Sequence, residues 1–301
     1  MTADSTRRFS EWEADDAFAL TGAELPDDRQ PLMADLARVA LRAAQEAAEI
    51  LQRGAPGQGA QVTGVDTKIS STDMVSDVDR ASEAAVARVL AEARPDDAVL
   101  GEEGTARTGT SGVTWVVDPL DGTTNFLFGI PQWSVSIAAE MEGRAVVGLV
   151  IDPSRNELWA SIAGHGAFLN GRRCVVRSDR STLETALVAT GFGYRTERRA
   201  WQARVAAQVI PAVRDIRRLG SAALDLCWTG AARFDAYYEW GLNPWDYSAG
   251  ALFAAEAGAV VQILGDRTVV AAPPHLFDPF SRLLESAGAL RAEPGPEPQN
   301  W

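Results

Sequence analysis

Asp118-Pro119-Leu120-Asp121-Gly122-Thr123-Thr124-Asn125-Phe126 follows directly on the apolar run Val113-Thr114-Trp115-Val116-Val117. The run reads as a buried strand, and it ends in two carboxylates three residues apart. Pro119 restricts the backbone between them, Gly122 permits a sharp turn, and Thr123-Thr124 can open a helix. The free N–H groups of such a helix start face outward and suit an anion, phosphate in particular. A solvated turn capping a strand is the ordinary reading of Asp-Pro and Asp-Gly pairs, and it stands beside metal binding for a D-x-x-D taken alone. The whole string of nine residues is far more specific.

Upstream, Ala98-Val99-Leu100 reads as a second strand and runs into Gly101-Glu102-Glu103. Residues 104–112, rich in Gly, Ser and Thr, read as a mobile loop between the two strands. Two strands that both end in acids can place those acids side by side, an arrangement that is costly unless cations lie between them. A helix starts near Asp79, where Asp77 and Asp79 suit N-terminal capping as well as any ligand role. Before it, Pro31 opens a helix with Leu32, Leu36, Val39, Ala43, Ala47 and Ile50 on one face, stopped at Gly54. Residues 1–30 are polar and aperiodic and read as a flexible extension.

Downstream, alternation at Trp133, Val135, Ile137 and Ala139, then runs at 145–151 and 158–162, give neighbouring strands, so 31–180 reads as an α+β half. From 181 to 290 strands and helices alternate as in an α/β half, with a last helix at 275–289 and a flexible tail at 291–301. Asp246 heads one of these helices, where capping again explains it equally well.

The 301 residues carry a net charge of −13, which disfavours nonspecific binding to nucleic acid. No stretch is apolar enough to cross a bilayer and no signal peptide is legible, so a cytoplasmic, membrane-free protein is expected. The two cysteines, Cys174 and Cys227, and the two histidines, His165 and His275, fit no zinc or redox spacing. A bound metal therefore needs oxygen ligands, which favours Mg²⁺, Mn²⁺ or Ca²⁺. Divalent cations also let an acidic protein handle an anionic substrate.

Together Asp118–Phe126, Gly101-Glu102-Glu103 and Trp245-Asp246 resemble the three metal-binding motifs of the inositol monophosphatase family. The resemblance extends to Lys68, 11 residues before Asp79, to Gly164–Gly171, to Gly220-Ser221-Ala222-Ala223 and to Phe234–Glu239. It implies a layered αβαβα sandwich of the inositol monophosphatase / fructose-1,6-bisphosphatase type, usually a homodimer, with two or three Mg²⁺ ions. By that resemblance Glu102, Asp118 and the Leu120 carbonyl ligate the first metal, and Asp118, Asp121 and Asp246 the second. Glu102 and Asp79 hold a weaker third. Glu102 and Thr123 activate the attacking water, Gly122 and Thr123 bind phosphate, and Ala222 and Glu239 contact the alcohol. Lys68 and Glu103 stand behind this set; for Lys68 an ordinary surface lysine is an equal reading.

The expected reaction is Mg²⁺-dependent hydrolysis of a small phosphorylated metabolite, inositol-1-phosphate first, with sensitivity to lithium. The same chemistry on histidinol phosphate, fructose 1,6-bisphosphate, NADP or a 3′-phosphoadenosine nucleotide is the alternative. A non-catalytic regulatory protein that retains the fold is the second.

Overall fold

Two sheets and three helical layers account for the chain over residues 8–20, 30–56, 65–67, 74–177 and 182–291, the parts described by the computed structural model. The helices are α1 (Ala14–Ala17), α2 (Gln30–Gly54), α3 (Asp77–Ala93), α4 (Thr123–Leu127), α5 (Thr196–Val209), α6 (Ala222–Gly230), α7 (Pro244–Glu256) and α8 (Pro274–Ser286). Strands β1 (Asp66–Thr67) and β2 (Met74–Val75) form a small antiparallel pair.

The first large sheet holds β3 (Ala98–Gly101), β4 (Ala106–Arg107), β5 (Val113–Asp121), β6 (Ser134–Met141), β7 (Arg144–Asp152), β8 (Glu157–Ile162), β9 (Gly166–Leu169) and β10 (Arg172–Cys174). Their spatial order is β10-β9-β8-β7-β6-β5-β3-β4, antiparallel except for the parallel pair β3–β5. The second holds β11 (Leu187–Thr190), β12 (Asp215–Arg217), β13 (Ala236–Trp240), β14 (Val260–Leu264) and β15 (Thr268–Ala272), in the order β12-β11-β13-β15-β14. Here β11 runs parallel to both β12 and β13.

Alternation along the strands builds the layers. On β5, Trp115 and Val117 face one core with α2 and α3, whereas Val116 faces α6 and α7 on the other side. On β13, Tyr237 faces α6 while Tyr238 and Trp240 face α5 and α8. The order α2/α3, sheet, α6/α7, sheet, α5/α8 is the αβαβα sandwich that the family resemblance implied. The boundary expected at 180/181 falls between β10 and β11, yet α7, from the second half, packs against the first sheet.

Three expectations are corrected. Within the extension assigned to residues 1–30, residues 8–20 are folded: Phe9, Trp12 and Phe18 are buried against α2. Gln45 Nε2 donates to the Phe9 and Trp12 carbonyls, and Asn156 Oδ1 accepts from the Phe9 N–H. Three aromatics on so short a segment give no period to read, but they suffice to bury it. Residues 104–112 are tied down as well, through β4 and through the N–H groups of Thr110 and Ser111, which donate to the Asp96 carbonyl. Strand β15 was not anticipated; its run Thr268–Ala272 is buried throughout and so lacks alternation. The tail from 292 onward lies outside the described residues.

Candidate active site

In the parallel pair β3–β5 both carboxyl ends point the same way, and they deliver Glu102 and the Asp118–Asp121 segment to one place. Carboxyl ends of parallel strands are where ligands bind in open α/β sheets. Residues three apart on a regular strand face opposite sides. Here the pairing of β5 with β6 slips by one residue, from Asp118↔Ser136 to Asp121↔Ser134. That bulge lets both carboxylates line the same cavity. Gly122 follows at φ +93°, where a side chain would be strained, and a Cβ would also sit 2.8 Å from the Gln132 carbonyl.

The second sheet supplies the opposite wall, again from carboxyl ends: Gly191 after β11, Arg218 after β12 and Glu239 near the end of β13. The cleft between them has a volume of about 320 Å³ and is lined by Glu102, Asp118, Asp121, Glu239 and Asp246. A larger open hollow of about 610 Å³ beside the N-terminal segment is lined by Glu49 and Arg53 and gathers no comparable group of acids.

Four helix starts converge on this cleft. At the start of α3, Asp79 accepts from the Ser76 N–H at 3.0 Å and from its hydroxyl, while Thr123 Oγ1 lies 3.2 Å away. Capping and a place in the site thus coexist at Asp79. Asp121 accepts from the Ser221 hydroxyl at 2.6 Å and the Ala223 N–H at 2.8 Å, which clamps the start of α6 onto β5. Asp246 accepts from the Asn243 N–H at 2.6 Å at the start of α7, so it too both caps and lines. Gly122 and Thr123 open α4, and the Thr123 hydroxyl also lies 3.0 Å from the Leu120 carbonyl.

The electrostatics follow from this crowding. Burial, then the charges of Glu102, Asp121 and Asp246, hold the Asp118 carboxyl well above the usual carboxylate range. Burial likewise raises Asp121 to about 7, against the bonds from Ser221 and Ala223. Asp246 is pushed well up by burial and by Glu102, partly offset by the Asn243 N–H. Among the described residues no arginine stands within ion-pair distance of Asp118, Asp121 or Asp246. Nor are three such side chains drawn in tightly enough to form a closed metal cage. The donor set is nevertheless all oxygen, and its three aspartates crowd together with no arginine in ion-pair reach among the described residues, which fits a hard divalent ion.

Of the residues singled out from the sequence, Glu102, Asp118, Leu120, Asp121, Gly122, Thr123, Ala222, Glu239 and Asp246 line the cleft, and Asp79 joins it through Thr123. Glu103 does not line it; its N–H donates to Glu83 Oε2 at 2.7 Å. Lys68 lies outside the described residues. Sequence reasoning missed Glu83 and Ser82. Glu83 also accepts from the Thr105 N–H at 2.8 Å and so holds the loop that carries Glu102, while the Ser82 hydroxyl donates to the Pro119 carbonyl at 2.9 Å. Their signal was present: Asp79, Ser82 and Glu83 are spaced i, i+3, i+4 on one helix face, and all are buried.

Comparisons with known proteins find relatives along most of the chain. Residues 32–289 match the inositol monophosphatase family. The chain is 43% identical over 258 residues to the inositol-1-monophosphatase of Mycobacterium bovis, covering 81% of this chain and 88% of that one. It is 41% identical over 231 residues to Nus factor SuhB of Pasteurella multocida, covering 76% and 85%. The crystal structure of extragenic suppressor protein SuhB from Bartonella henselae superposes with a TM-score of 0.76 at 37% identity, over 82% of this chain and 97% of that one.

Proposed function

Because the chain belongs to the inositol monophosphatase family, we propose that its cleft hydrolyses inositol-1-phosphate to inositol and phosphate, with Mg²⁺ as cofactor. The observation that carries this reading is the convergence of Glu102, Asp118, Asp121 and Asp246 on one cleft with no arginine paired to the three aspartates among the described residues. Mg²⁺, two or three ions held by these acids with the Leu120 carbonyl and Asp79, supplies the positive charge that admits a phosphate ester and acidifies water.

The chain's own groups do the rest. Thr123 Oγ1, set between Asp79 and the Leu120 carbonyl, donates its hydrogen bond to one of them and accepts from water with its lone pairs. With Glu102 it orients that water for in-line attack on phosphorus. The N–H groups of Gly122 and Thr123 receive the phosphate oxygens. Glu239 accepts hydrogen bonds from the hydroxyls of the alcohol beside Ala222. No covalent nucleophile is needed: both cysteines are free, and neither lines the cleft.

The reading extends to inhibition by lithium, a cytoplasmic homodimer and a site that does not bind nucleic acid. No described helix is long and apolar enough to cross a membrane. The test is phosphate release from inositol-1-phosphate, histidinol phosphate, fructose 1,6-bisphosphate, NADP and 3′-phosphoadenosine 5′-phosphate, with and without Mg²⁺. The expected result is Mg²⁺-dependent release, fastest from inositol-1-phosphate. A faster rate on another ester would reassign the substrate. Likeness to a Nus factor favours a second reading, a protein partner that retains the fold, and slow release that ignores Mg²⁺ on every ester would select it.

A further inference from the structure

Behind Glu239 lies a buried polar group that the hydrolysis above leaves unused. Tyr237 and Glu239 are two apart on β13 and so share the face toward α6. The Tyr237 ring is fully buried, and its hydroxyl donates to Glu239 Oε2 at 2.9 Å. From α6, Asp225 reaches the same place: it is 1% exposed, and its Oδ1 has no hydrogen-bond partner. Burial and the charges of Glu239 and Asp121 push its carboxyl well up.

Gly191 also abuts Glu239: a Cβ there would come within 1.9 Å of Oε2 and 2.2 Å of Oε1. That position needs a glycine for space. Its loop is fastened to α5 by Gln202, which accepts from the Gly193 N–H at 2.8 Å and donates to the Gly191 carbonyl at 3.4 Å. The carboxylate is thus flanked by a hydroxyl and a bare stretch of backbone while it lines the cleft.

We propose that Tyr237 is a positioning residue for substrate choice: with Gly191 providing the room, it fixes Glu239 in the orientation that receives the hydroxyls of a polyol leaving group. This rests on the reading that Glu239 meets the alcohol part of the substrate. A carboxylate held by one bond on one oxygen keeps its other lone pairs for the ligand, and a site built this way penalises a leaving group that offers no hydroxyl. Without the tyrosine bond the carboxylate samples several orientations and loses that preference.

The experiment compares kcat and KM for inositol-1-phosphate with those for p-nitrophenyl phosphate, whose leaving group carries no hydroxyl besides the one formed. In Tyr237→Phe, kcat/KM for inositol-1-phosphate should fall about tenfold, mostly through KM, while that for p-nitrophenyl phosphate stays within about twofold. Gly191→Ala, which crowds the same carboxylate, should likewise raise KM for inositol-1-phosphate, and it decides the matter if Tyr237→Phe fails to fold. In a Glu239→Ala background Tyr237→Phe should add less than about twofold. Equal losses on both substrates, or a full Tyr237 effect that persists without Glu239, would overturn the proposal. If the wild type releases phosphate from both esters with Mg²⁺ but the variants show no split, only the positioning role fails. If the wild type releases none, the hydrolytic reading fails with it.

Discussion

The two ends of one pair of parallel strands treat buried acids in opposite ways. At the amino end of β3 and β5, Asp97 is 1% exposed and is gripped by Arg94 through Nε at 2.8 Å and Nη2 at 3.2 Å, and by the Trp115 indole at 2.8 Å. Burial alone would raise its carboxyl, but Arg94, Ser111 and Trp115 outweigh it and hold it below the usual range. At the carboxyl end Asp118 is equally buried, yet it faces Glu102, Asp121 and Asp246 and lies well above that range. The protein spends an arginine where an acid is architectural. Where the proposed metal ligands gather, no arginine reaches the three aspartates among the described residues, an arrangement that a bound cation would complete.

The widest gap should appear when one acid from each end is disturbed. Asp118→Asn should reduce Mg²⁺-dependent phosphate release by about a thousandfold, with little loss of stability, since it removes repulsion as well as a ligand. A residual rate above about a tenth of wild type would break the contrast. At the other end, Arg94→Ala should destabilise the fold by about 3 kcal/mol in urea unfolding by stranding Asp97, with kcat per folded molecule unchanged. A silent Arg94→Ala would show that the amino-end pair contributes nothing.

The smallest effect is a slope with pH. Asp121 titrates at about 7 in the fold, against about 4 in the unfolded chain. Over that interval the metal-free folded protein binds more protons than the unfolded chain. The stabilisation from this group is therefore fully present below about pH 4 and is lost as pH rises through about 7. Metal-free wild type should lose stability from mildly acidic to neutral pH more steeply than Asp121→Asn. Parallel curves for the two proteins would contradict the crowding at the carboxyl end.

How much of this could be read from sequence follows the same division. The string from Asp118 to Phe126 was legible because Pro, Gly and paired acids constrain backbone and chemistry at once. Single elements were legible because α2 has a helical period and β6 a strand period, whereas the five-layer order followed only from the family resemblance. What stayed hidden depends on register or on distant partners. The slip between β5 and β6 that brings Asp118 and Asp121 to one cleft is set by cross-strand pairing, which no single strand reveals. Capping could not be separated from ligation at Asp79 or Asp246, because each residue does the first while standing in place for the second. Phe9, Trp12 and Phe18 looked like part of a polar tail because the surface they cover belongs to α2. Asp97 drew no notice for a similar reason: its partner Trp115 is 18 residues away.

The most direct measurement is the unfolding midpoint of wild type and Asp118→Asn as Mg²⁺ is titrated at neutral pH. If the carboxyl-end acids are gathered for a cation, wild type gains about 2.7 kcal/mol at a hundredfold excess over the dissociation constant, and Asp118→Asn gains far less at the same concentration. Equal shifts in the two proteins, or none in wild type, would contradict the account.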